Sequence, residues 1–548
     1  MTDRMSRRGL LKAAGALGLS AGAAGCAAGE AAASGPFQAN WESLAASYTA
    51  PDWFRDAKLG IWSHWGPQCV PEFGDWYARK MYIQGDSFYE HHLENYGHPS
   101  EFGFMEFIGR WRAEAFDPEE LLDLYQAAGA RYIVSMANHH DNLDMFDSTH
   151  HAWNTTRVGP RMDIVGTWER AVRARGLRFG VSNHGAHAWH WYQAAYGYDP
   201  EGPRAGERYD AFRLTREDGR GTWWEGLDPQ QLYTGPSMVP PEGIDSVEAM
   251  NVWHHENDGQ WLEHIPANNP GFVRSWVLRQ RDLMEKYRPD LVYFDNTSLP
   301  LEQHGLDATA EYYNAALGWR GEIPVVTAKR LNELQRRGVT ESVERGYLAD
   351  IRAEPWQTDT CIGDWHYNRG RYRDRSYVPA KSVVQRLADV VSKNGALLLN
   401  IPQRGDGSID SQERAILQEM AAWVAVNGEA IFESRPWRIY GEGPSEVAEG
   451  AFSEGDVGPF GAADIRFTTR GGYLYAIAMD WPEGDAPIAI RALGLSALDG
   501  ARVEGVELLG GGPVSFEQRD DALVIAPTAQ RPVAFAPAFR LSGPVTQV

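Results

Sequence analysis

Residues 271–296 read GFVRSWVLRQRDLMEKYRPDLVYFDN, and this stretch decides the predicted fold. Its apolar residues over 271–287 are spaced as one face of a long helix, and Pro289 separates that helix from the apolar run 291–294. A helix that leads through a proline into a short buried strand is one unit of a parallel α/β sheet. Asp295 comes directly after the strand, so we expect its carboxylate at the carboxyl edge of the sheet, with a helix N-cap as the alternative interpretation.

The same unit recurs along the chain before and after this stretch. The other predicted helices are 118–128, 163–175 and 378–392. The other short apolar runs that are typical of buried strands are 59–63, 132–136, 178–182, 325–327 and 397–401. Roughly six strands that alternate with helices indicate an irregular (β/α)8-like barrel of the TIM type, which we place over residues 35–437.

The pattern changes at about residue 438. Short β-type runs are then separated by Gly, Asp and Pro, at 463–468, 473–479, 488–490, 503–508, 522–525 and 532–535. This spacing predicts a C-terminal antiparallel β-sandwich over 438–548. Within the barrel, the Trp-rich stretch 185–262 has little periodicity and is predicted to be a long insertion.

The first 34 residues are predicted to be an export signal and linker rather than part of the fold. Residues 6–12, SRRGLLK, resemble a twin-arginine motif, and a weakly apolar run leads from it to Cys26. The residues before that cysteine, AAG at 23–25, resemble a lipoprotein cleavage site. We therefore expect an exported protein at the cell surface or in the periplasm, anchored by a lipid on Cys26. Ordinary cleavage that releases a free protein is the alternative.

The composition limits the classes of partner. Of the 548 residues, 43% are hydrophobic and 23% are charged, which is typical of a globular chain. The net charge of −22 argues against nucleic acid as a partner. The 21 Trp residues suit binding of sugar rings, although a Trp-rich core is the alternative.

Cys69 and Cys361 do not match the spacing of a metal site and are expected to be buried free thiols.

Polar side chains follow several predicted strands at the same relative position. They are His64, residues 138–141 (NHHD), residues 183–184 (NH) and Asp295. The carboxyl ends of barrel strands carry the active site, so these groups are expected to meet in one. Adjacent residues on an extended chain point in opposite directions, so His139 and His140 are predicted to bind ligand hydroxyls rather than a metal ion. No metal and no cofactor are expected.

A glycoside hydrolase needs a second carboxyl group beside one such as that of Asp295. The acidic residues further along the chain leave several choices open, namely Glu341, Glu344, Glu354, Asp359 and Asp364.

Several ordered motifs resemble those of one family. They are 53–66 WFRDAKLGIWSHWG, 75–82 DWYARKMY, 132–140 YIVSMANHH, 153–154 WN, 159–160 GP, 389–395 DVVSKNG, 397–401 LLLNI, 406–407 DG, 427–431 NGEAI and 435–437 RPW. Together they are similar to the α-L-fucosidases of glycoside hydrolase family 29 over about residues 50–437.

The resemblance implies an exo-acting, retaining α-L-fucosidase that acts on oligosaccharide or polysaccharide ends. It implies a barrel followed by a β-sandwich, with Asp295 as the nucleophile. Glu344 is the best match for the acid/base, and Glu354 is the second choice. The residues that the resemblance places against the sugar are His64, Asp75, Trp76, His139, His140 and, less specifically, Tyr293. Trp76 would face the C5 methyl group of fucose.

Departures from the family pattern concern the sugar and the leaving-group preference rather than the reaction class. Position 75 is Asp where Glu is common, His184 stands near the place of an expected aromatic residue, and Lys329 or Arg330 replaces an expected Arg. A related sugar such as α-L-galactose is therefore an alternative substrate, and an inactive carbohydrate-binding protein of the cell surface is an alternative of another class. The oligomeric state is left open.

The insertion 185–262 follows the third predicted strand, so we expect it to overhang the barrel mouth. Its aromatic residues are predicted to form subsites for the leaving group, and packing of these residues against one another is the alternative. They include His187, Trp189, His190, Trp191, Trp223 and Trp224.

Overall fold

The computed structural model describes residues 35–544. The predicted export signal, including Cys26, lies outside these residues. Among the helices of residues 35–544, none combines the length and the apolar character that crossing a membrane requires.

Eight parallel strands form the first domain. In chain order they are β1 (Leu59–Ser63), β2 (Tyr132–Asn138), β3 (Arg178–Asn183), β4 (Leu291–Thr297), β5 (Val325–Lys329), β6 (Thr340–Glu341), β7 (Trp356–Cys361) and β8 (Gly395–Asn400). The strand order is β6-β5-β4-β3-β2-β1-β8-β7, and a parallel bridge between Ser342 and Gln357 joins the two ends. The sheet therefore closes into the predicted (β/α)8-like barrel.

Helices surround this sheet, and the four predicted from periodicity are present. They are Pro118–Ala127, Ile164–Ala174, Pro270–Tyr287 and Ala380–Ser392. The remaining α-helices of the barrel domain are Trp41–Ser47, Asp52–Ala57, Tyr77–Lys80, Ser87–Asn95, Phe104–Arg110, Gln303–Arg320, Glu333–Arg336, Arg369–Asp374 and Ser411–Asn427. The side chain of Asn269 caps the helix before β4 by accepting a bond from the Phe272 amide, and that helix ends where Arg288 adopts a left-handed conformation before Pro289.

Two strands of the barrel were not predicted from the sequence. Strand β6 spans two residues, too few to show a period. Strand β7 reads WQTDTC and is wholly buried, but its Gln357 and Asp359 interrupt the apolar run expected of a buried strand.

The C-terminal residues form the predicted β-sandwich. Strands β9 (Arg435–Glu442), β10 (Ile465–Arg470), β11 (Tyr473–Ala478), β13 (Gly505–Leu508), β14 (Gly512–Pro513) and β17 (Ala538–Ser542) make one antiparallel sheet. Strands β12 (Ile488–Ile490), β15 (Phe516–Gln518) and β16 (Leu523–Ile525) make the other. Both sheets contribute to one apolar cluster. The prediction of a strand at 532–535 is wrong, because this segment is a bend between Pro532 and Pro537 and the strand begins at Ala538.

The insertion 185–262 is not an open loop. Its short helices include Ala188–Trp191, Asp210–Arg213, Pro229–Leu232 and Val247–Glu256, and most of residues 185–200 are buried.

Cys69 and Cys361 are both buried free thiols, as expected.

Candidate active site

The alternation of side chains along the strands builds the site. In β4, Leu291 and Tyr293 lie in the cluster inside the barrel, whereas Val292 and Phe294 pack against the surrounding helices. A period of two therefore directs Asp295 inward. By the same rule Lys329 on β5, four residues after the inward-facing Val325, also points inward, and His64 follows β1 directly. These side chains meet in a cavity of about 640 Å³ at the barrel mouth.

Asp295 is buried and lies between cationic and imidazole partners. The ammonium group of Lys329 donates to its Oδ1, and Nδ1 of His184 lies 3.2 Å from its Oδ2. Burial raises the pKa of the Asp295 carboxyl, but Lys329 and His184 more than offset this effect and hold the pKa well below its ordinary value. Asp295 is therefore an ionised carboxylate at neutral pH.

A chain of hydrogen bonds fixes the orientation of His184. The indole N–H of Trp62 donates to Ser182 Oγ at 3.1 Å, which directs the Ser182 hydroxyl hydrogen toward His184 Nε2, 3.3 Å away. His184 Nε2 is then the acceptor, so the ring hydrogen of the neutral imidazole lies on Nδ1 and points at Asp295. This residue takes the place of the aromatic side chain expected after the third strand.

Glu344 lines the same cavity and shares a partner with Asp295. Its Oε2 accepts a hydrogen bond from the Lys329 ammonium group, which thus bridges the two carboxyl groups. Burial and the negative charges of Asp359 and Asp295 outweigh this bond and raise the pKa of Glu344 to about 7. The environment therefore separates the pKa values of the two carboxyl groups, as a pair with different catalytic roles requires.

The other acidic residues considered from the sequence have different surroundings. Glu341 accepts bonds from Arg336, Arg352 and the Leu331 amide. Asp364 binds Arg371 and Asn368. Glu354 precedes the amino end of β7 and lines a different pocket, with Tyr48 and Arg337. The structure brings Glu344 to Asp295 and does not bring Glu354 there.

Asp359 lies inside the barrel, below the carboxyl pair. It accepts hydrogen bonds from Ser342 Oγ at 2.6 Å and from the Tyr293 hydroxyl at 3.2 Å. Burial raises the pKa of the Asp359 carboxyl. Because the Tyr293 hydroxyl is engaged in this way, it is the ring of Tyr293 that the cavity offers to a ligand.

His139 and His140 do not point in opposite directions, so this prediction is wrong. Strand β2 ends at Asn138, so the two residues lie in a turn where strand alternation does not apply, and their ring centroids are 4.3 Å apart. The Gln68 amide nitrogen lies 2.8 Å from His139 Nδ1, so this nitrogen is an acceptor and the ring hydrogen lies on Nε2. His140 Nδ1 instead lies 2.8 Å from the His184 carbonyl oxygen and donates to it, and its Nε2 lies 3.5 Å from Asp295 Oδ2.

Burial lowers the pKa of His139 well below its ordinary value and that of His140 to about 4, so both rings are neutral. The Nε2–H group of His139 then offers a donor that suits a ligand hydroxyl group.

His64 lies at the floor of the cavity, and the ring of His366 packs against it with centroids 4.8 Å apart. Within residues 35–544 neither nitrogen of His64 has a hydrogen-bond partner, whereas His366 Nδ1 lies 3.5 Å from Asp75 Oδ1. Burial lowers the pKa of His64 well below its ordinary value. A buried imidazole without partners at the base of a cavity indicates that a polar ligand completes its hydrogen bonds.

Asp75 and Trp76 lie at the rim. Both carboxylate oxygens of Asp75 accept backbone amides, from Trp365 at 3.1 Å and from His366 at 2.7 Å, so this residue ties the loop after β7 to the site. Trp76 has a left-handed backbone and is 37% exposed. Its ring is parallel to that of Trp261, with centroids 6.2 Å apart, and both rings line the cavity.

The insertion contributes less to the cavity than expected. Trp261 lines it, but Trp223 donates to Glu106 and packs against Trp153 away from the site, and Trp224 is buried. Trp189 and Trp191 are also buried. The alternative interpretation, that these aromatic residues pack against one another and their neighbours, describes most of the insertion.

Several residues that line the cavity had no role assigned from the sequence. Those that matter for the geometry are His184, Lys329, Trp365, Trp261 and Phe452. The sequence does indicate His184 and Lys329, because His184 directly follows a predicted strand and Lys329 lies just beyond one. It does not indicate Trp365, because β7 had not been predicted.

Three groups of side chains bring possible metal-ligand atoms within 4.8 Å of one another: His64, His139 and His366; His139, His140 and His184; and His140, His187 and Asp295. A metal needs a free lone pair on each nitrogen. The bonds described above place hydrogen on His139 Nε2 and occupy both nitrogens of His184. The expectation that no metal takes part stays a prediction.

Comparisons with known proteins show the family of this chain. The sequence profile described as alpha-L-fucosidase matches residues 24–429. The tissue alpha-L-fucosidase of Rattus norvegicus is 27% identical over 461 residues, which cover 81% of this chain and 79% of that protein. The plasma alpha-L-fucosidase of Homo sapiens is 28% identical over 422 residues, 73% of each chain.

The crystal structure of Thermotoga maritima alpha-fucosidase shares the fold. It superimposes with a TM-score of 0.65 at 24% identity and covers 92% of this chain and 100% of that one. Since the family profile spans most of the chain, the protein with the Asp295 and Glu344 pair at its barrel mouth belongs to the α-L-fucosidase family, glycoside hydrolase family 29.

Proposed function

We propose that this chain is an exo-acting, retaining α-L-fucosidase, with Asp295 as nucleophile and Glu344 as acid/base, that removes terminal fucose from oligosaccharides or polysaccharides. One observation carries the proposal: a single Lys329 ammonium group binds both carboxyl groups. Because each hydrogen bond from the Lys329 nitrogen spans about 2.9 Å, the nearest oxygens of Asp295 and Glu344 lie within about 5.8 Å of each other. This spacing favours retention, for which the carboxyl groups are about 5–5.5 Å apart, over inversion at about 6.5–9.5 Å.

The protonation states agree with a double displacement. Asp295, as carboxylate, attacks the anomeric carbon while Glu344 gives its proton to the leaving oxygen and the glycosidic bond breaks. Water then attacks the glycosyl ester, Glu344 takes the proton of this water, and Asp295 leaves as carboxylate. The cavity ends at buried Trp62 and His64, and such a closed floor supports binding of a chain end and hence exo action.

The expected sugar contacts follow from the rings that line the cavity. His64, His139 and His140 provide hydrogen-bond atoms, Asp75 lies at the rim, and Trp76 offers the apolar face expected for the C5 methyl group.

A panel of nitrophenyl glycosides tests the substrate and the reaction together. We expect the α-L-fucoside to be hydrolysed much faster than the α-L-galactoside, and the first sugar released, observed by NMR, to be the α anomer. Faster cleavage of the galactoside would replace the proposed substrate. A β anomer as first product would exclude retention, and binding of fucose without turnover would make the chain a carbohydrate-binding protein.

The pH profile is expected to show a limb that depends on the leaving group. Because burial raises the pKa of Glu344 to about 7, kcat/KM for methyl α-L-fucoside should fall as the pH rises through 7 and the proton donor is lost. The acid limb should lie below the ordinary pKa of Asp, since Lys329 keeps Asp295 ionised. α-L-Fucosyl fluoride needs no proton to depart, so its profile should lack the alkaline limb. The same alkaline limb for both substrates would contradict this role of Glu344.

We also propose that the protein is exported and anchored through Cys26, on the basis of the motifs at 6–12 and 23–25. Fractionation of cells that express the Cys26→Ser variant tests the anchor: an unchanged share in the membrane fraction would exclude it.

A further inference from the structure

A loop of the β-sandwich domain reaches the barrel mouth beside Glu344. Residues 443–464 connect β9 to β10, and three of their amides bind the carbonyl groups of the segment 344–347. The distances are 2.8 Å for Phe452 N to Glu344 O, 3.0 Å for Glu454 N to Arg345 O and 3.0 Å for Gly450 N to Tyr347 O. The loop thus runs along the segment that carries the proposed acid/base.

Half-buried charges hold this loop in place. The Glu454 carboxylate accepts bonds from Arg345 at 2.6 Å, from Thr360 Oγ1 at 2.7 Å and from Arg386. Gly346 permits the close approach, because a Cβ atom there would lie 2.0 Å from the carbonyl oxygen of Gly450. The position of the loop is therefore specified by side chains of both domains.

Phe452 is an unusual residue at this position. Its backbone is left-handed, with φ 60° and ψ 19°, a conformation unfavourable for a bulky residue. Its side chain is 57% exposed and lines the same cavity as Asp295 and Glu344. Backbone strain of this kind clusters at active sites and ligand contacts, and here the strained residue presents its ring to the cavity.

We propose that Phe452 forms the leaving-group subsite and that this subsite takes a sugar ring. The inference rests on the proposed function. Glu344 must reach the leaving oxygen, so the group attached to that oxygen lies next to Glu344, where the adjoining Phe452 is exposed. The apolar face of a pyranose packs against an aromatic ring, whereas a small alkyl group covers little of it. The parallel rings of Trp76 and Trp261 form another exposed aromatic surface of the same cavity.

Three substrates separate this role from an effect on Glu344. α-L-Fucosyl fluoride needs neither a proton nor a leaving-group subsite, methyl α-L-fucoside needs the proton only, and fucosylated disaccharides of the four common linkages need both. For Phe452→Ala, we expect kcat/KM on the best disaccharide to fall about 10-fold relative to methyl fucoside. Phe452→Trp should retain the wild-type ratio of kcat/KM on the disaccharide to kcat/KM on methyl fucoside. Phe452→Leu keeps the apolar volume without the flat face, so its ratio should fall nearly as far as that of Phe452→Ala.

Phe212→Ala is the matched control, since Phe212 is 49% exposed and does not line the cavity. It should leave all ratios unchanged. Equal losses on methyl fucoside and the disaccharide would mean that Phe452 acts through Glu344, and unchanged ratios would mean that it contacts no leaving group. A wild-type enzyme that cleaves no disaccharide faster than methyl fucoside also overturns the subsite. Failure to hydrolyse the fluoride would instead refute the proposed function itself.

Discussion

Replacing Asp295 with alanine is expected to lower kcat/KM on nitrophenyl α-L-fucoside by at least about 10⁴-fold. In the proposed double displacement the substitution removes the carboxylate that forms the covalent bond, and Glu344, with its pKa raised to about 7, is assigned the role of proton donor instead. Steady-state kinetics measure the loss. Thermal unfolding should show a folded variant, because the removed carboxylate leaves a cavity at the barrel mouth rather than in the apolar core.

Azide identifies the residue that was lost. In the alanine variant azide can occupy the space of the carboxylate and attack the anomeric carbon once, so the product should be the β-fucosyl azide and activity should partly return. Asp295→Asn is the matched variant, since it keeps an acceptor for His184 and loses only the charge. Retention of more than about a tenth of the wild-type activity in both variants would contradict the assignment of Asp295.

The sequence predicts the parts of this molecule in which local pattern and position agree. The helix Pro270–Tyr287, the proline after it and the apolar run of β4 are all local signals, and together they place Asp295 at the carboxyl end of a strand. The barrel rule then supplies the functional position without any information from elsewhere in the chain.

The same reasoning fails where the interior of the barrel is polar. Gln357 and Asp359 point inward on β7 because Tyr132 and Ser342 satisfy them with hydrogen bonds, and these partners are far away in sequence. The strand was therefore not predicted, and Trp365 and His366, which follow it, could not be placed.

Contacts between distant segments were also beyond a reading of local patterns. Lys329 has an inward direction that alternation on β5 predicts, but its bond to Glu344 depends on how the loop after β6 folds back. Phe452 belongs to the other domain and has no local feature that points to the barrel. The prediction for His139 and His140 was wrong for a different reason. Strand alternation was applied to residues that follow the last residue of β2, where it does not hold.

Glu344→Ala is expected to affect substrates in proportion to the basicity of the leaving group. Methyl α-L-fucoside requires a proton on its leaving oxygen, so kcat/KM should fall by about 10³-fold or more, within the range that general acid catalysis contributes. The first step on α-L-fucosyl fluoride needs no proton and should change little. The glycosyl ester should then be hydrolysed slowly, because no base activates the water, and a burst of fluoride before a slower steady state should be visible in rapid-mixing experiments.

Glu354→Ala is the matched control, because Glu354 is the other candidate from the sequence and lies near the amino end of β7 in a separate pocket. It should behave as wild type on both substrates. Azide should restore turnover to Glu344→Ala with the α-fucosyl azide as product, since the anion attacks a glycosyl ester that has already been inverted once at Asp295. The two variants should therefore give azides of opposite configuration, β from Asp295→Ala and α from Glu344→Ala. This difference assigns the nucleophile and the acid/base without relying on measured rate constants. A β-azide from Glu344→Ala, or loss of activity in Glu354→Ala with Glu344→Ala unaffected, would reverse the assignment.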